Sequence, residues 1–346
     1  MRLVNTYAAH NATTPLAPLS IERRDPEDFD VHFEILYCGV CHSDLHQVRD
    51  EWGGAIFPMV PGHEIVGRVL RTGTRVTKFK AGDLAGVGCL VDSCRTCDNC
   101  RDGLEQYCAK GAVGTYNSLD KSGRPTYGGY SKEIVVHEDF VLHVPENLPL
   151  EGVAPLLCAG ITTYSPLRHW KIGKGHRVGI LGLGGLGHMG VKFASSFGAE
   201  VTMLSTSASK EVDARRLGAE HFALTTNPQV TKKLRGYFDF ILDTVSAPHD
   251  YDTYLRMLKT NGTHICVGAP PKPVEIKVFS MLANRRGIAG SMIGGLPETQ
   301  EMLDYCSAHN IVSDVEVIPI SVINTAYERM LKGDVKYRFV IDMATL

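Results

Sequence analysis

The sequence predicts an α/β protein in two parts, a β-rich region followed by a doubly wound parallel sheet. Three observations carry this. At 346 residues the chain is long enough for two domains of ~150 residues. Short apolar or alternating runs, separated by Gly, Pro and Asp, fill the first part. From about Leu157 onward, strand-like runs alternate with helical ones, the pattern of βαβ units.

In order, the expected N-terminal strands are 31–36, 67–69, 84–87, 130–135 and 140–144. The second part reads as strand 177–181, helix 185–197, strand 200–204, helix 208–217, strand 238–242, helix 251–258 and strand 262–267, with a further strand at 287–293. Helical spacing returns at 299–309 and 322–332, and 337–341 reads as a closing strand.

The composition, 44% hydrophobic and 21% charged, excludes a disordered chain. A net charge of −2 supplies no basic field for nucleic acid or an anionic membrane, so neither is an expected partner. The most apolar stretch, 178–194, is interrupted by glycines, His188 and Lys192 and is too short to span a bilayer. The N-terminus lacks the basic and apolar regions of a signal peptide, so a cytoplasmic location is expected. In a reducing compartment, ten cysteines point away from a disulfide framework.

Four of the ten, Cys94, Cys97, Cys100 and Cys108, fall in a C-x2-C-x2-C-x7-C run. Four thiolates satisfy tetrahedral Zn²⁺ with no open position, the pattern of a structural site. An iron–sulfur cluster is the nearest rival, but the x3-C-P continuation of ferredoxin-type runs is absent.

Between a predicted strand and a predicted helix lies Gly182-Leu183-Gly184-Gly185-Leu186-Gly187, a G-x-G-x-x-G turn. In that context it reads as a dinucleotide site: Gly182 for the tight turn, Gly184 for approach to a pyrophosphate, Gly187 for helix packing. The helix N-terminus then faces the phosphates. Where NAD sites carry an acid for the ribose 2′-OH, this chain has Ser205, Thr206, Ser207 and then Lys210. Hydroxyls and a cation suit a 2′-phosphate, so NADP(H) is expected over NAD, although such hydroxyls also cap helices.

Three further segments hold possible ligands: GVCHSDLH (39–46), VPGHEIVGRV (60–69) and APLLCAGITTYSPL (154–167). Their spacing alone does not assemble them. Together with the four-cysteine lobe and GLGGLGHMG, however, they resemble the motifs of zinc-dependent medium-chain alcohol dehydrogenases. The CAGITTYSPL string and GSMIGG (290–295) look most like the cinnamyl-alcohol-dehydrogenase branch and its bacterial NADP-dependent aldehyde reductases.

The resemblance implies a GroES-like catalytic domain over 1–157, completed by 296–346, and a Rossmann NADP-binding domain over 158–295. It implies reversible reduction of aldehydes to primary alcohols by NADPH, with two Zn²⁺ per chain, one catalytic and one structural. Cys41, His63 and Cys158 match the catalytic zinc ligands, with Glu64 coordinating when no substrate is bound. Asp44 matches the carboxylate that orients the ligand histidine, and Ser43 and His46 match a proton relay. Thr162, Thr244, Gly268, Ser291, Met292 and Ile293 join the glycine turn and the Ser205–Lys210 loop as cofactor positions. Trp52, Tyr116 and Met292 are candidates for the substrate pocket; Cys38, Cys89, Cys266 and Cys306 are read as bystanders. The branch implies a homodimer. A polyol dehydrogenase of the same fold would replace the third cysteine ligand by Glu, and a crystallin-like NADPH binder would lack the four-cysteine lobe; Cys158 and the lobe argue against both.

Overall fold

A computed structural model describes residues 2–270 and 272–346. The chain divides into two compact units, one running to Ile161 and resuming over Gly294–Leu346, the other covering Thr162–Ile293.

The first unit is built on a seven-stranded sheet. Along it lie Val315–Pro319, Arg338–Asp342, Asp30–Val40, Ile65–Thr72, Leu84–Val87 and Leu142–His143, with Glu133–His137 also paired to Asp30–Val40. Inward residues of these strands, among them Phe33, Ile35, Ile65, Val87, Phe339 and Ile341, form one apolar core. The C-terminal strand pairs antiparallel with the end of Asp30–Val40, placing Ile341 opposite Cys38. The last residues of the chain therefore complete the sheet that carries the first metal-ligand candidates.

Some elements differ from expectation. The run 140–144 contributes only Leu142–His143 as strand, because Glu138–Phe140 forms a helical turn whose Glu138 carboxylate accepts from the Thr77 and Lys78 N–H groups. The 130–135 strand is shifted to Glu133–His137. The hairpin Arg2–Ala8/Ala17–Arg23 was not foreseen, since its polar, half-exposed strands show little hydrophobic periodicity.

The second unit holds a six-stranded, wholly parallel sheet in the order His221–Leu224, Glu200–Ser205, Arg177–Leu181, Phe238–Asp243, Leu258–Cys266, Gly287–Gly290. This is the doubly wound order 3-2-1-4-5-6, whose switch point lies between Arg177–Leu181 and Phe238–Asp243. The expected helix 251–258 ends one residue early: Leu258 already pairs in the next strand. His221–Leu224 was missed because it is short and half-exposed. Among the described residues no helix is long and apolar enough to cross a membrane.

Phe339 is fully buried in the strand that closes the first sheet. Phe339→Ala is expected to destabilise the first unit by about 3–5 kcal/mol, through lost transfer energy and the cavity left behind. Urea unfolding of the full chain checks this; an unchanged midpoint would show that the C-terminal strand is not integral to the core.

Candidate active site

Cys41, His63, Glu64 and Cys158 converge within the first unit, with one possible ligand atom from each lying within 4.8 Å of the others, and all four are buried. Three local structures bring them together. Cys41 follows the strand Asp30–Val40 and caps the helix His42–Val48. His63 and Glu64 immediately precede the strand Ile65–Thr72, and Cys158 follows the helical turn Ala154–Leu157.

Asp44 organises the first two. Its fully buried carboxylate accepts from the Cys41 N–H at 2.9 Å, closing a capping box on the helix, and from the Gly62 N–H at 3.0 Å. His63 Nδ1 lies 3.1 Å from the same carboxylate, and the Tyr130 hydroxyl donates to it at 3.5 Å. With Nδ1–H donating to this carboxylate, the Nε2 lone pair is left for a metal, the usual arrangement of a ligating histidine. Tyr116 stacks on the His63 ring with centroids 5.8 Å apart.

The cluster's electrostatics suit a cation. A hydrogen bond from Cys158 holds the Cys41 thiol well below its ordinary value, with Arg338 and His63 acting in the same direction against burial. The proton so shared pushes Cys158 upward. Burial disfavours charge on His63, but Asp44 outweighs it and holds the ring proton. Burial pushes the Glu64 carboxyl up to about 7, with Arg338 opposing. Arg338 pairs with Glu64 Oε1, whereas Glu64 Oε2 is buried without a hydrogen-bond partner among the described residues. Only a glycine fits at position 39, because a Cβ there would collide with that oxygen. Two thiols, an imidazole nitrogen and an unpaired buried carboxylate oxygen form a donor set that fits Zn²⁺.

Sequence reasoning did not find Arg338, which comes from the far end of the chain and matches no motif. Cys89, expected as a bystander, lies outside the converging four residues; its thiol donates to the Leu157 carbonyl at 3.8 Å, and the neighbouring Cys158 thiol lowers it against the effect of burial.

Beside the cluster, the Ser43 hydroxyl lies 3.7 Å from Cys41 Sγ. His46, one turn further along the helix, sets Nδ1 2.5 Å from Glu51 Oε2 and tilts against the exposed Trp52.

The four-cysteine lobe also converges, with its Sγ atoms within 4.8 Å of one another and no disulfide formed. Backbone N–H groups point at the sulfurs: Cys97 N–H to Cys94 Sγ at 3.3 Å, Ala109 N–H to Cys97 Sγ at 3.4 Å and Cys94 N–H to Cys108 Sγ at 3.4 Å. The donors of Thr96 and Cys97 lower the Cys94 thiol to about 5, while burial raises Cys100 to about 11. Inward N–H groups that favour thiolate, with no further protein ligand among the described residues, suit a closed tetrahedral zinc site.

In the second unit, the glycine turn follows Arg177–Leu181 at the switch point. Gly182 has φ +88°, and a Cβ at Gly187 would strike the Gly182 carbonyl. A Cβ at Gly184 would meet nothing within 4 Å, which leaves room for a pyrophosphate against the backbone. Leu183, Gly185 and Leu186 complete the turn into the helix Gly187–Ser196. The Thr244 hydroxyl donates to the Leu181 and Gly182 carbonyls at 2.8 and 3.2 Å, and Gly268 packs against the Val245 backbone. These positions follow the C-terminal ends of adjacent strands, where such sheets bind ligands.

Ser205 is buried and accepts from the Ser207 N–H at 3.1 Å, so it shapes the loop from within, whereas Thr206 and Ser207 are exposed. Lys210 ends the helical turn Ala208–Lys210. Thr162 is buried in the helix Ala159–His169, and Ser291, Met292 and Ile293 follow the edge strand Gly287–Gly290.

Two family models match the chain: an alcohol dehydrogenase GroES-like domain over residues 27–146 and a zinc-binding dehydrogenase over 185–308. Aldehyde reductase YahK of Escherichia coli is 56% identical over 348 residues, covering 99% of each chain. NADP-dependent alcohol dehydrogenase C 1 of Mycolicibacterium smegmatis is 55% identical, covering 100% of this chain and 99% of its own. Among solved structures, a cinnamyl alcohol dehydrogenase of Sorghum bicolor superposes with a TM-score of 0.96 at 46% identity, covering 99% of this chain and 98% of its own. The enzyme of Helicobacter pylori complexed with NADP(H) gives 0.93 at 43%, with the same coverage. With both cysteine clusters assembled and the parallel sheet in the dinucleotide-binding order, the chain belongs to the zinc-dependent medium-chain alcohol dehydrogenases, in the branch of the cinnamyl alcohol dehydrogenases and bacterial aldehyde reductases.

Proposed function

We propose that this protein reversibly reduces aldehydes to primary alcohols with NADPH, using one catalytic and one structural Zn²⁺. The observation that carries the reading is the buried Cys41–His63–Cys158 set with Glu64 as a fourth, displaceable donor. Relatives named as NADP-dependent alcohol dehydrogenase and aldehyde reductase support it.

When bound, zinc polarises a carbonyl oxygen as a Lewis acid and NADPH supplies hydride. The chain's own residues do the rest. Cys41 Sγ, Cys158 Sγ and His63 Nε2 hold the metal, and Asp44 fixes the imidazole through Nδ1. Arg338 anchors Glu64 by Oε1, so Oε2 can serve as a ligand in the absence of substrate and yield to it. Ser43 Oγ receives or gives the substrate proton, and His46 carries it outward; Glu51 at Nδ1 sets the ring orientation. Cys94, Cys97, Cys100 and Cys108 clamp the structural zinc.

For the cofactor, the turn Gly182–Leu183–Gly184–Gly185–Leu186–Gly187 takes the pyrophosphate. Thr206, Ser207 and Lys210, on a loop shaped by Ser205, take the 2′-phosphate. Thr162, Thr244, Gly268, Ser291, Met292 and Ile293 flank the remainder. We assign the catalytic role to the GroES-like domain and NADP binding to the parallel-sheet domain, with Trp52 and Tyr116 contributing to the aldehyde pocket. Thiolate zinc sites suit a reducing compartment, which supports a cytoplasmic location.

A homodimer is supported by the second unit. Gly287–Gly290 is an edge strand with open backbone groups, and the nearby helix Val278–Leu282 exposes Val278, Phe279 and Leu282. A second copy of the chain covers such an edge and its apolar flank together.

Three measurements test these assignments. First, Cys158→Ala is expected to stay folded, lose about one zinc and lose nearly all turnover, whereas Cys100→Ala loses stability because a closed zinc site is folding energy. In the same assay His46→Ala keeps its zinc but slows turnover, by at most the roughly 10²–10⁴-fold that one acid–base group contributes and by less where solvent substitutes for it. Near-normal reduction by Cys158→Ala, or zinc loss in His46→Ala, would refute the respective role.

Second, kcat/KM for NADPH should exceed that for NADH with one aldehyde. The preference should weaken with salt and in Lys210→Ala, and shift further toward NADH in Ser205→Asp. Equal values in the wild type would sink this reading of the loop without touching the zinc assignment. Third, light scattering should give a two-chain mass that Phe279→Glu reduces toward the monomer; a monomeric wild type would remove the dimer.

A further inference from the structure

In the parallel-sheet unit, the strand Phe238–Asp243 leads into a loop, 244–250, that is neither helix nor strand. The start of this loop abuts the glycine turn. The Thr244 hydroxyl donates to the Leu181 and Gly182 carbonyls, and a Cβ at Gly182 would strike Val245 Cγ2. On the other side, a Cβ at Gly268 would strike the Val245 carbonyl. Thr244 and Val245 are therefore wedged between two segments that carry cofactor positions. Beyond them Ser246, Ala247 and Pro248 are exposed, so the wedge needs an anchor from elsewhere.

Asp243 is that anchor. Its buried carboxylate accepts from the Val245 N–H at 3.0 Å through Oδ1, while Oδ2 lies 3.0 Å from His264 Nε2 on the neighbouring strand. The far end of the loop returns to the same oxygen: His249 Nε2 stands 2.9 Å from Oδ2. The other nitrogen of His249, Nδ1, stands 2.8 Å from the Ala247 carbonyl. Carboxylate and carbonyl oxygens only accept, so both nitrogens of His249 donate. One imidazolium thus ties the exposed tip of the loop to the sheet and supplies the counter-charge of a buried carboxylate. Tyr251 stacks on the ring at 4.5 Å and holds its plane.

The groups around the pair leave His249 to set its charge. Bonds from His249 and His264 hold Asp243 low against burial, and the Thr253 donors do the same for Asp250. Burial pushes Tyr251, Tyr254 and Cys266 upward, away from neutral pH. Burial also opposes charge on His249, but its bonds to Asp243 and the Ala247 carbonyl outweigh it and raise its pKa above the ordinary value. His264 gives its Nε2–H to Asp243, and its Nδ1 has no partner among the described residues.

We propose that His249 is a positioning residue for NADP(H), holding the 244–249 loop against the glycine turn through Asp243. The inference rests on the reading of that turn as the cofactor site. Because His249 acts on the wall of the site and not on the reacting atoms, it governs cofactor affinity and leaves hydride transfer alone. The tie is complete while His249 carries both protons and is lost as pH rises through its raised pKa.

The test uses the full chain with its zinc and follows NADPH binding by the cofactor's fluorescence. His249→Phe keeps a ring against Tyr251 and lacks both donors; His249→Gln returns one donor to Asp243. At neutral pH the Kd for NADPH is expected to rise ~10-fold in His249→Phe and less in His249→Gln, the scale of one lost hydrogen bond to a charged group. The KM for NADPH should follow, with kcat at saturating NADPH unchanged. Groups that touch NADPH directly titrate alike in both proteins, so raising the pH should close the gap between wild type and His249→Phe. In the cofactor-free chain, hydrogen exchange of the Val245 N–H should be ~10-fold faster in His249→Phe, with the Ile241 N–H in the strand unaltered; this separates loss of the tie from loss of the fold. Variants that bind NADPH as tightly as wild type, or that lose kcat in place of affinity, would overturn the role of His249 and leave the cofactor reading standing. A wild type that binds no NADPH would refute both.

Discussion

A single carboxylate constrains the geometry of the whole catalytic unit. Asp44 is fully buried, and a buried acceptor is tolerated only where donors surround it. Its donors are the Cys41 N–H, the Gly62 N–H, His63 Nδ1 and the Tyr130 hydroxyl, which belong to three different segments. One group thus starts a helix, sets the turn before His63 and selects the imidazole tautomer. The positions of Ser43 and His46 follow, since both ride on the helix that Asp44 caps.

A second constraint is charge. Two thiolates, a carboxylate and the Asp44 oxygens packed out of water would repel one another without cations. Arg338 supplies one of these permanently, pairing with Glu64 in the interior. Breaking such a pair by removing one partner typically costs about 3–5 kcal/mol, because the other charge is left buried and alone. Arg338 therefore holds the carboxylate ready while leaving its second oxygen open.

Features encoded in short stretches were legible in the sequence. The four-cysteine spacing and the glycine turn each contain their own geometry, and alternating strands and helices gave the parallel sheet its class. The Cys41–His63–Cys158 set was legible only through resemblance, because its members lie on three separate elements. Arg338 and the pairing of Glu51 with His46 left no local signal: each matters through a contact between side chains that no periodicity encodes. The missed hairpin at the N-terminus and the strand His221–Leu224 show the same limit, since half-exposed strands carry weak alternation.

The division of the first unit across the chain has a consequence for how the protein is made. Translation runs from the N-terminus, so every thiol and imidazole of both cysteine clusters is synthesised before the parallel-sheet unit is begun at Thr162. Arg338 and the strand that pairs with Asp30–Val40 emerge only at the end. Until then Glu64 lacks its cation and the larger sheet lacks a central neighbour. The nascent chain can finish its parallel sheet first, since Thr162–Ile293 is uninterrupted, and must finish its metal-binding unit last.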